Sequence, residues 1–197
     1  MTIELETDYI NPPPMMTSLP TMMSDEFYLN SLLQYSQQVV ALDHCCPLLW
    51  DVRRPPQSAR RVLYPDEYIT PFYLSRPATY LPKRFLRIVS GMLPEEWVIE
   101  IRHPEGITIG DVLEGIYTML MHPIRHHEWE RLSDKQQRRI NIAFNERCEH
   151  AADQKQCRAG GVLRVDFLYQ HILFAGLSLS LDGDESSCVL TLRTTPS

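Results

Sequence analysis

The sequence predicts an α+β domain, an antiparallel sheet of about five or six strands with about two or three helices packed on one face. Alternating apolar and polar residues mark strands in the middle of the chain and again towards its C-terminal end. Helical periodicity fills the stretch between them, and strands and helices do not alternate as they do in parallel sheets. Apolar residues make up 44% of the chain, which is enough to bury one core.

The chain of 197 residues is about the length of one domain with appendages. We divide it into residues 1–43, a Pro- and Met-rich arm followed by a helix, and residues 44–197, a single α+β domain. Three consecutive prolines at positions 12–14 favour extended polyproline geometry in the arm. Ser24 is a suitable N-cap for a helix that we expect to run to about Val40.

Six prolines fall between residues 55 and 82, so we expect a long loop without regular structure there. The same segment carries five aromatic rings, Tyr64, Tyr68, Phe72, Tyr73 and Tyr80. Either the rings seal the core, or the stiffened loop presents them to a partner or ligand.

A strand pair and a helix follow the loop. Residues 84–90 and 97–102 alternate, with Trp97, Ile99 and Ile101 on one side of the second strand. Thr108 caps a helix whose first turn holds Asp111. We expect one core built from the second strand and the apolar stripe of this helix, namely Trp97, Ile99, Ile101, Val112, Leu113, Ile116 and Leu120.

Two more helices are expected before the chain returns to strands. The first is short and covers residues 126–132, and the second starts at a capping box of Ser133 and Gln136 and runs to about Cys148. Residues 154–161 form a polar, glycine-ended loop. Strands are then expected at 162–168 and 171–174, followed by a hairpin that turns at 182–184.

The net charge and the cysteines limit the partners and the cellular compartment that we expect for the protein. A net charge of −6 disfavours nucleic acid and anionic membranes as partners. The five cysteines are odd in number and follow an acidic N-terminus without an apolar leader, so we expect reduced thiols in the cytoplasm or nucleus and no disulfide.

Trp50, Asp51 and Arg53 are the first candidate binding residues. On an N-terminal strand, Asp51 and Arg53 would point the same way and grip a polar ligand, with Trp50 lining a pocket. In the alternative interpretation, Asp51 pairs with Arg53 or with a neighbouring arginine and Trp50 belongs to the core. From the aromatic segment, Tyr64, Tyr68, Phe72 and Tyr73 complete the candidate binding residues.

The densest set of potential metal ligands consists of His122, His126, His127, Glu128 and Glu130. His122 and His126 have the spacing of two ligands on one helix face, but Pro123 interrupts that helix. We therefore expect no metal site, no catalytic residue can be assigned, and no cofactor is expected.

Residues 47–56 read Pro-Leu-Leu-Trp-Asp-Val-Arg-Arg-Pro-Pro. With further motifs in the same order, they resemble a fungal family of proteins of unknown function marked by PLL and WD motifs, although the two motifs abut here and are usually a few residues apart in the family. The resemblance spans roughly residues 44 to 193 and implies a fungal source and one compact domain, with no activity to transfer. The further motifs are residues 75–79, 107–113, 164–168 and Gly176-Leu177.

Two classes of function are consistent with this sequence. One is a non-enzymatic interaction module that binds a protein partner or a small apolar ligand, since Tyr, Met and Arg are common interface anchors. The other is a small-molecule enzyme, a lyase, isomerase or hydrolase, with a pocket under the aromatic segment 55–82. A deep pocket with convergent polar groups would favour the enzyme.

Overall fold

The fold is α+β, as predicted, but the strands of the described residues form two sheets. The computed structural model describes residues 28–37, 45–180, 184 and 186–194. The small sheet joins β1 (Leu48–Leu49), β2 (Arg60–Arg61) and β3 (Tyr64–Tyr68) in that order, with antiparallel pairing throughout. Two of these strands lie inside segment 55–82, so the prediction of a loop without regular structure is wrong there.

The larger sheet is mixed, and the prediction of an antiparallel sheet needs that correction. It contains β4 (Phe85–Val89), β5 (Ile99–Arg102), β6 (Leu173–Leu179) and β7 (Ser187–Arg193), in the order β5-β4-β7-β6. Each end of the sheet is an antiparallel pair, as expected. The two pairs join through β4 and β7, which run parallel because the long helical connection lets the second pair dock in either direction.

Within the described residues, five α-helices accompany the sheets: α1 (Pro71–Leu74), α2 (Ile109–Leu120), α3 (His126–Glu130), α4 (Asp134–Glu149) and α5 (Gln154–Ala159). The two expected caps are confirmed. Thr108 and Asp111 form a capping box at the start of α2, and Ser133 and Gln136 form one at the start of α4. No helix within the described residues is long and apolar enough to cross a bilayer.

The predicted core is confirmed. Helix α2 packs against β5, and Trp97, Ile99, Ile101, Val112, Leu113, Ile116 and Leu120 all lie in one buried cluster. Ile116 is fully enclosed. Trp97 belongs to this core but precedes β5 in a turn rather than starting the strand.

Three local predictions are wrong. Residues 154–161 are mostly the helix α5, because the Asp153 side chain accepts a hydrogen bond from Gln156 N–H and caps it. Residues 162–168 are mostly a 3₁₀ helix, Arg164–Leu168, not a strand. The strand expected at 50–53 ends at Leu49, and only Asp51 makes an isolated bridge, to Leu173, before the chain turns.

The arm at residues 1–24 lies outside the described residues, as do both ends of the helix expected from Ser24 to Val40. Residues 28–37 are described and form no helix. Leu29 and Gln34 instead bridge to Thr79 and Leu177, since this tertiary pairing outweighs helix propensity. The close approach needs Gly176, whose φ is +117° and where a Cβ would lie 2.6 Å from the backbone nitrogen of Tyr35.

Candidate functional site

The segment predicted to present aromatic rings forms an exposed surface built on the small sheet. Tyr68 is 58% exposed and Phe72 is 69% exposed, whereas Tyr73 is half-buried against the core. We call this surface the aromatic–arginine face, and it consists of Arg60, Arg61, Tyr64, Tyr68, Phe72 and Tyr73.

Backbone pairing positions the face. Arg61 and Tyr64 are paired across the tight hairpin between β2 and β3, and Val62 inside the hairpin is buried and donates its N–H to Pro47 O. The register then shifts, so that Arg60 pairs with Tyr68. Residues 65–67 bulge out of the edge strand as a result.

Two arginines hold the rings in place. The guanidinium of Arg61 lies 4.2 Å from the centroid of Tyr64 and 4.5 Å from that of Tyr73, and its Nη1 donates to the Tyr73 hydroxyl at 2.9 Å. The guanidinium of Arg60 lies 4.6 Å from the Tyr68 centroid and donates to the Tyr68 hydroxyl at 3.2 Å. Such cation–π contacts fix both the cation and the ring.

The pocket that the enzyme alternative places under segment 55–82 is not among three clefts on the described part of the structure, which have volumes of about 250, 450 and 510 Å³. None of their lining residues comes from that segment. The fifth ring of the segment, Tyr80, is 65% exposed and lies where the backbone pairs with Tyr28. Four of the five rings of the segment are therefore exposed on the surface of the protein.

Trp50 lies in the core. It is 1% exposed, its ring centroid is 5.9 Å from that of Phe174, and its indole N–H donates to Arg54 O at 2.9 Å. This placement corresponds to the second interpretation of Trp50. Its indole supports the turn that carries Asp51 and Arg53.

Asp51 and Arg53 pair with each other. Arg53 Nε lies 3.0 Å from Asp51 Oδ1, and Nη2 lies 2.7 Å from Oδ2. Both line the largest of the three clefts, of about 510 Å³, which we call the polar cleft. Arg54, Arg147 and His150 also line it. The carboxylate and the guanidinium therefore hold each other at the rim of the cleft.

The floor of the polar cleft contains an ion pair that was not predicted from the sequence. Arg147 donates from Nε and Nη2 to both carboxylate oxygens of Asp166, at 2.7 and 2.9 Å. The Asp166 side chain is 2% exposed. Hydrogen bonding to Asp166 raises the pKa of Arg147 although burial opposes the shift, so the guanidinium stays charged.

Tyr169 borders both the polar cleft and the smallest cleft. Its φ of 54° is positive, which is costly for an aromatic residue and is typical of functional or tightly constrained sites. The guanidinium of Arg139 covers its ring at 4.1 Å, and burial raises the pKa of its hydroxyl. No local sequence signal identifies this backbone conformation.

His122 and His126 do not lie on one helix, because the chain is not helical at residues 121–125. This agrees with the expectation from Pro123. His126 instead faces Glu130 at 3.1 Å, with both side chains exposed. Among the described residues, no group of three or more His, Cys, Asp or Glu side chains could hold a metal ion.

Glu128 turns inward, to the edge of the cleft of about 450 Å³. Its carboxylate accepts hydrogen bonds from Trp97 Nε1 and Arg164 Nη2, both at 2.8 Å, and from Arg125 N–H at 2.7 Å. Burial alone would raise the pKa of Glu128, but these three hydrogen bonds and the Arg164 charge together lower it. The carboxylate is thus an ionised structural anchor for α3.

Acid should therefore destabilise the protein partly through Glu128. The folded state binds the Glu128 proton more weakly than the unfolded state, whose pKa is near the ordinary 4.5. The stabilisation is complete above that pH and is lost as the pH falls below it. In urea unfolding measured from about pH 7 to pH 3, we expect Glu128→Gln to show a shallower loss of unfolding free energy than the wild type.

Glu130→Gln is the matched control, because the Glu130 carboxylate is exposed on the same helix. It should retain the wild-type slope. Parallel slopes for the wild type and Glu128→Gln would contradict the assignment of Glu128 as an ionised anchor.

Taken together, the fold and its surfaces define an α+β domain with an exposed aromatic–arginine face and a separate polar cleft. The chain belongs to the DUF6699 family, described as a family of unknown function, whose model matches residues 48–186. Comparisons with curated proteins and with solved structures gave no match. The match includes the small sheet and the helices α1 to α5, and it carries no activity to this chain.

Proposed function

We propose that this protein is a non-enzymatic binding module whose aromatic–arginine face holds an extended, proline-rich segment of a partner protein. The observation that carries the proposal is the set of exposed rings that arginines hold in fixed positions, above all Tyr64 and Tyr68. The fungal source and the cytoplasmic or nuclear location expected from the sequence remain predictions.

Preorganisation supports a binding role for the face. Binding costs the entropy of ordering the side chains at the interface, at roughly 0.5–1.5 kcal/mol for each flexible side chain. Here Arg60 is already hydrogen-bonded to Tyr68 and to Pro65 O, and Arg61 to Tyr73. A partner therefore meets rings whose positions are largely set, as rigid aromatic anchors are in other binding surfaces.

The chemistry of the face favours a proline-rich ligand. Tyr hydroxyls and guanidinium N–H groups make the face rich in hydrogen-bond donors, and its rings offer flat apolar area. A proline-rich segment offers apolar rings and backbone carbonyl acceptors but few N–H donors. Such segments adopt extended polyproline geometry before binding and dock on aromatic side chains.

The charges beside the rings favour a basic residue next to the prolines. Asp66 and Glu67 lie in the bulge of β3 and are exposed. Neither carboxylate has an ion-pair partner within the described part of the chain. A Lys or Arg in the ligand would complement them. The net charge of −6 on this chain also favours a positively charged partner.

The alternative, a small-molecule enzyme with a pocket under segment 55–82, receives less support. The segment lines none of the three clefts, and two carboxylates that border clefts are occupied: Asp51 pairs with Arg53, and Glu128 accepts three hydrogen bonds. A catalytic carboxylate needs to reach the proton it transfers. These carboxylates serve as anchors instead.

The proposal is tested by fluorescence anisotropy with a labelled polyproline peptide that carries an Arg-Lys flank. We expect saturable binding by the wild type, and binding about tenfold or more weaker for Tyr68→Ala and for Phe72→Ala. Both rings are exposed, so these variants should fold normally.

Ile142→Ala is the control, because Ile142 is 58% exposed on α4, outside the face. It should bind as the wild type does. Equal binding by the wild type and both ring variants would contradict the proposal. A concentration-dependent dimer that Tyr68→Ala dissociates would instead assign the face to a second copy of the chain.

A further inference from the structure

Two cysteines and an arginine meet where α4 and α5 pack together. Cys148 lies in the last turn of α4 and is fully buried, whereas Cys157 on α5 is partly exposed. Their sulfur atoms are 3.0 Å apart, and Nη1 of Arg147 donates to the Cys157 sulfur at 3.0 Å. The two sulfurs are thus closer than unbonded atoms usually approach, and a cation contacts one of them.

Arg147 is fixed in this position. Besides the two bonds to Asp166, its Nη2 donates to Gly161 O at 2.9 Å. The guanidinium of Arg147 therefore remains beside Cys157 while the Cys157 thiol reacts. A neighbouring cation stabilises a thiolate, which is the nucleophilic form of cysteine.

We propose that Cys157 and Cys148 form a reversible dithiol–disulfide site that is oxidised by a small disulfide of the glutathione class. The Cys157 thiolate attacks one sulfur of the small disulfide, so that its S–S bond breaks, a mixed disulfide forms and one small thiol leaves after taking up a proton. Cys148 then loses its proton and attacks the Cys157 sulfur, and a second small thiol is released. The protein loses two protons and two electrons in total, and the small disulfide gains both as it becomes two thiols.

The environments of the two thiols set the order of attack. Cys157 is the one that a solvent-borne disulfide can reach. Burial raises the pKa of Cys148, so this thiol stays protonated and protected until Cys157 carries the leaving group beside it. The short distance between the sulfurs makes the second step intramolecular and favours ring closure over a persistent mixed disulfide.

The other cysteines lack this arrangement. Cys46 and Cys188 are buried, and burial raises the pKa of each to about 12. The Cys46 thiol donates to Leu32 O at 3.3 Å. Cys45 is partly exposed, but the thiol of its neighbour Cys46 is buried and donates to Leu32 O. Cys46 is therefore inert. Cys45 serves as the internal comparison.

Oxidation also reaches the polar cleft. A disulfide ties α5 to the end of α4 and replaces the Cys157 thiol to which the guanidinium of Arg147 donates. Arg147 lines the polar cleft. The site therefore links the redox state of the dithiol to the hydrogen bonding of Arg147 in that cleft.

The test uses the full chain equilibrated in buffers of defined reduced and oxidised glutathione ratio, then alkylated in denaturant and analysed by mass spectrometry. Trypsin cleaves after Arg147, Lys155 and Arg158, so the disulfide joins the peptides 148–155 and 156–158. We expect this linked pair in the oxidised wild type and its loss on return to reduced glutathione. Cys45 should not enter a disulfide within the chain.

The variants separate the two steps. Cys148→Ser should stop at a stable glutathione adduct on Cys157, and Cys157→Ser should give neither a disulfide nor an adduct at Cys148. Cys45→Ser should behave as the wild type. Persistent glutathione on Cys157 of the wild type, a link between any other pair, or faster modification at Cys45 than at Cys157 would overturn the proposal. Peptide mapping of the wild type alone decides between these outcomes if a variant fails to fold.

Discussion

Replacing Asp166 by Ala is expected to lower the free energy of unfolding by about 3–5 kcal/mol. The change leaves the guanidinium of Arg147, whose side chain is 18% exposed, without its anionic partner. It also removes the carboxylate that accepts a hydrogen bond from Leu163 N–H. Leu163 is the N-cap of the 3₁₀ helix Arg164–Leu168, so the start of that helix loses a hydrogen bond. The measurement is urea unfolding monitored by circular dichroism.

Asp51→Ala is the matched control. Asp51 makes the same two-pronged contact with an arginine, but the Asp51 and Arg53 side chains are 20% and 45% exposed. Exposed pairs contribute only about 0–1 kcal/mol, because water screens them in both states. Similar losses in the two variants would show that burial does not distinguish these ion pairs.

Ile116→Ala should cost about 2–5 kcal/mol of unfolding free energy. Ile116 is fully buried in α2, facing the cluster that includes Ile99 and Ile101. Truncation removes the transfer energy of the lost carbons and leaves a cavity that the surrounding strands fill only in part.

Ile142→Ala, made on the exposed side of α4, should change stability by no more than about 0.5 kcal/mol. The comparison holds the residue type and the truncation constant while burial differs. A loss below about 1 kcal/mol for Ile116→Ala would mean that α2 does not seal the core as described.

The helices and the core were predictable because their signals are local. Thr108 and Asp111 mark the start of α2 within four residues, and apolar spacing then identifies the buried stripe. The parallel pairing of β4 with β7 was not predictable, because it joins segments about 100 residues apart and no alternation pattern specifies strand direction. The second sheet was not predictable either, because β2 and β3 lie in the proline-rich segment, where a loop was expected.

Residues 162–168 show how a local pattern can mislead. Their alternation is typical of a strand, but the Asp166 carboxylate binds Leu163 N–H and the distant Arg147, and these contacts favour the 3₁₀ helix. Asp153 is a suitable N-cap for α5, but the polar composition of residues 154–161 favoured the prediction of a loop there. Hydrogen bonds of single polar side chains decided both segments, a local one at Asp153 and both a local and a long-range one at Asp166.

The candidate site was predictable only in part. The number of rings in segment 55–82 indicated a presenting surface, and the structure exposes four of the five. The stacking of Arg60 and Arg61 depends on the hairpin register, which the sequence does not reveal. The polar cleft depends on Arg147, Asp166 and Tyr169, which come together only through tertiary structure.

The proposed function is tested by mapping the polyproline titration on the isotopically labelled full chain by amide chemical shifts. The binding-module proposal predicts that the progressive shifts cluster at residues 60–73, with Tyr64 and Tyr68 among the most affected. It also predicts that His150 and Tyr169, at the polar cleft, stay unchanged. Shifts confined to the polar cleft, or none at saturating peptide, would contradict it.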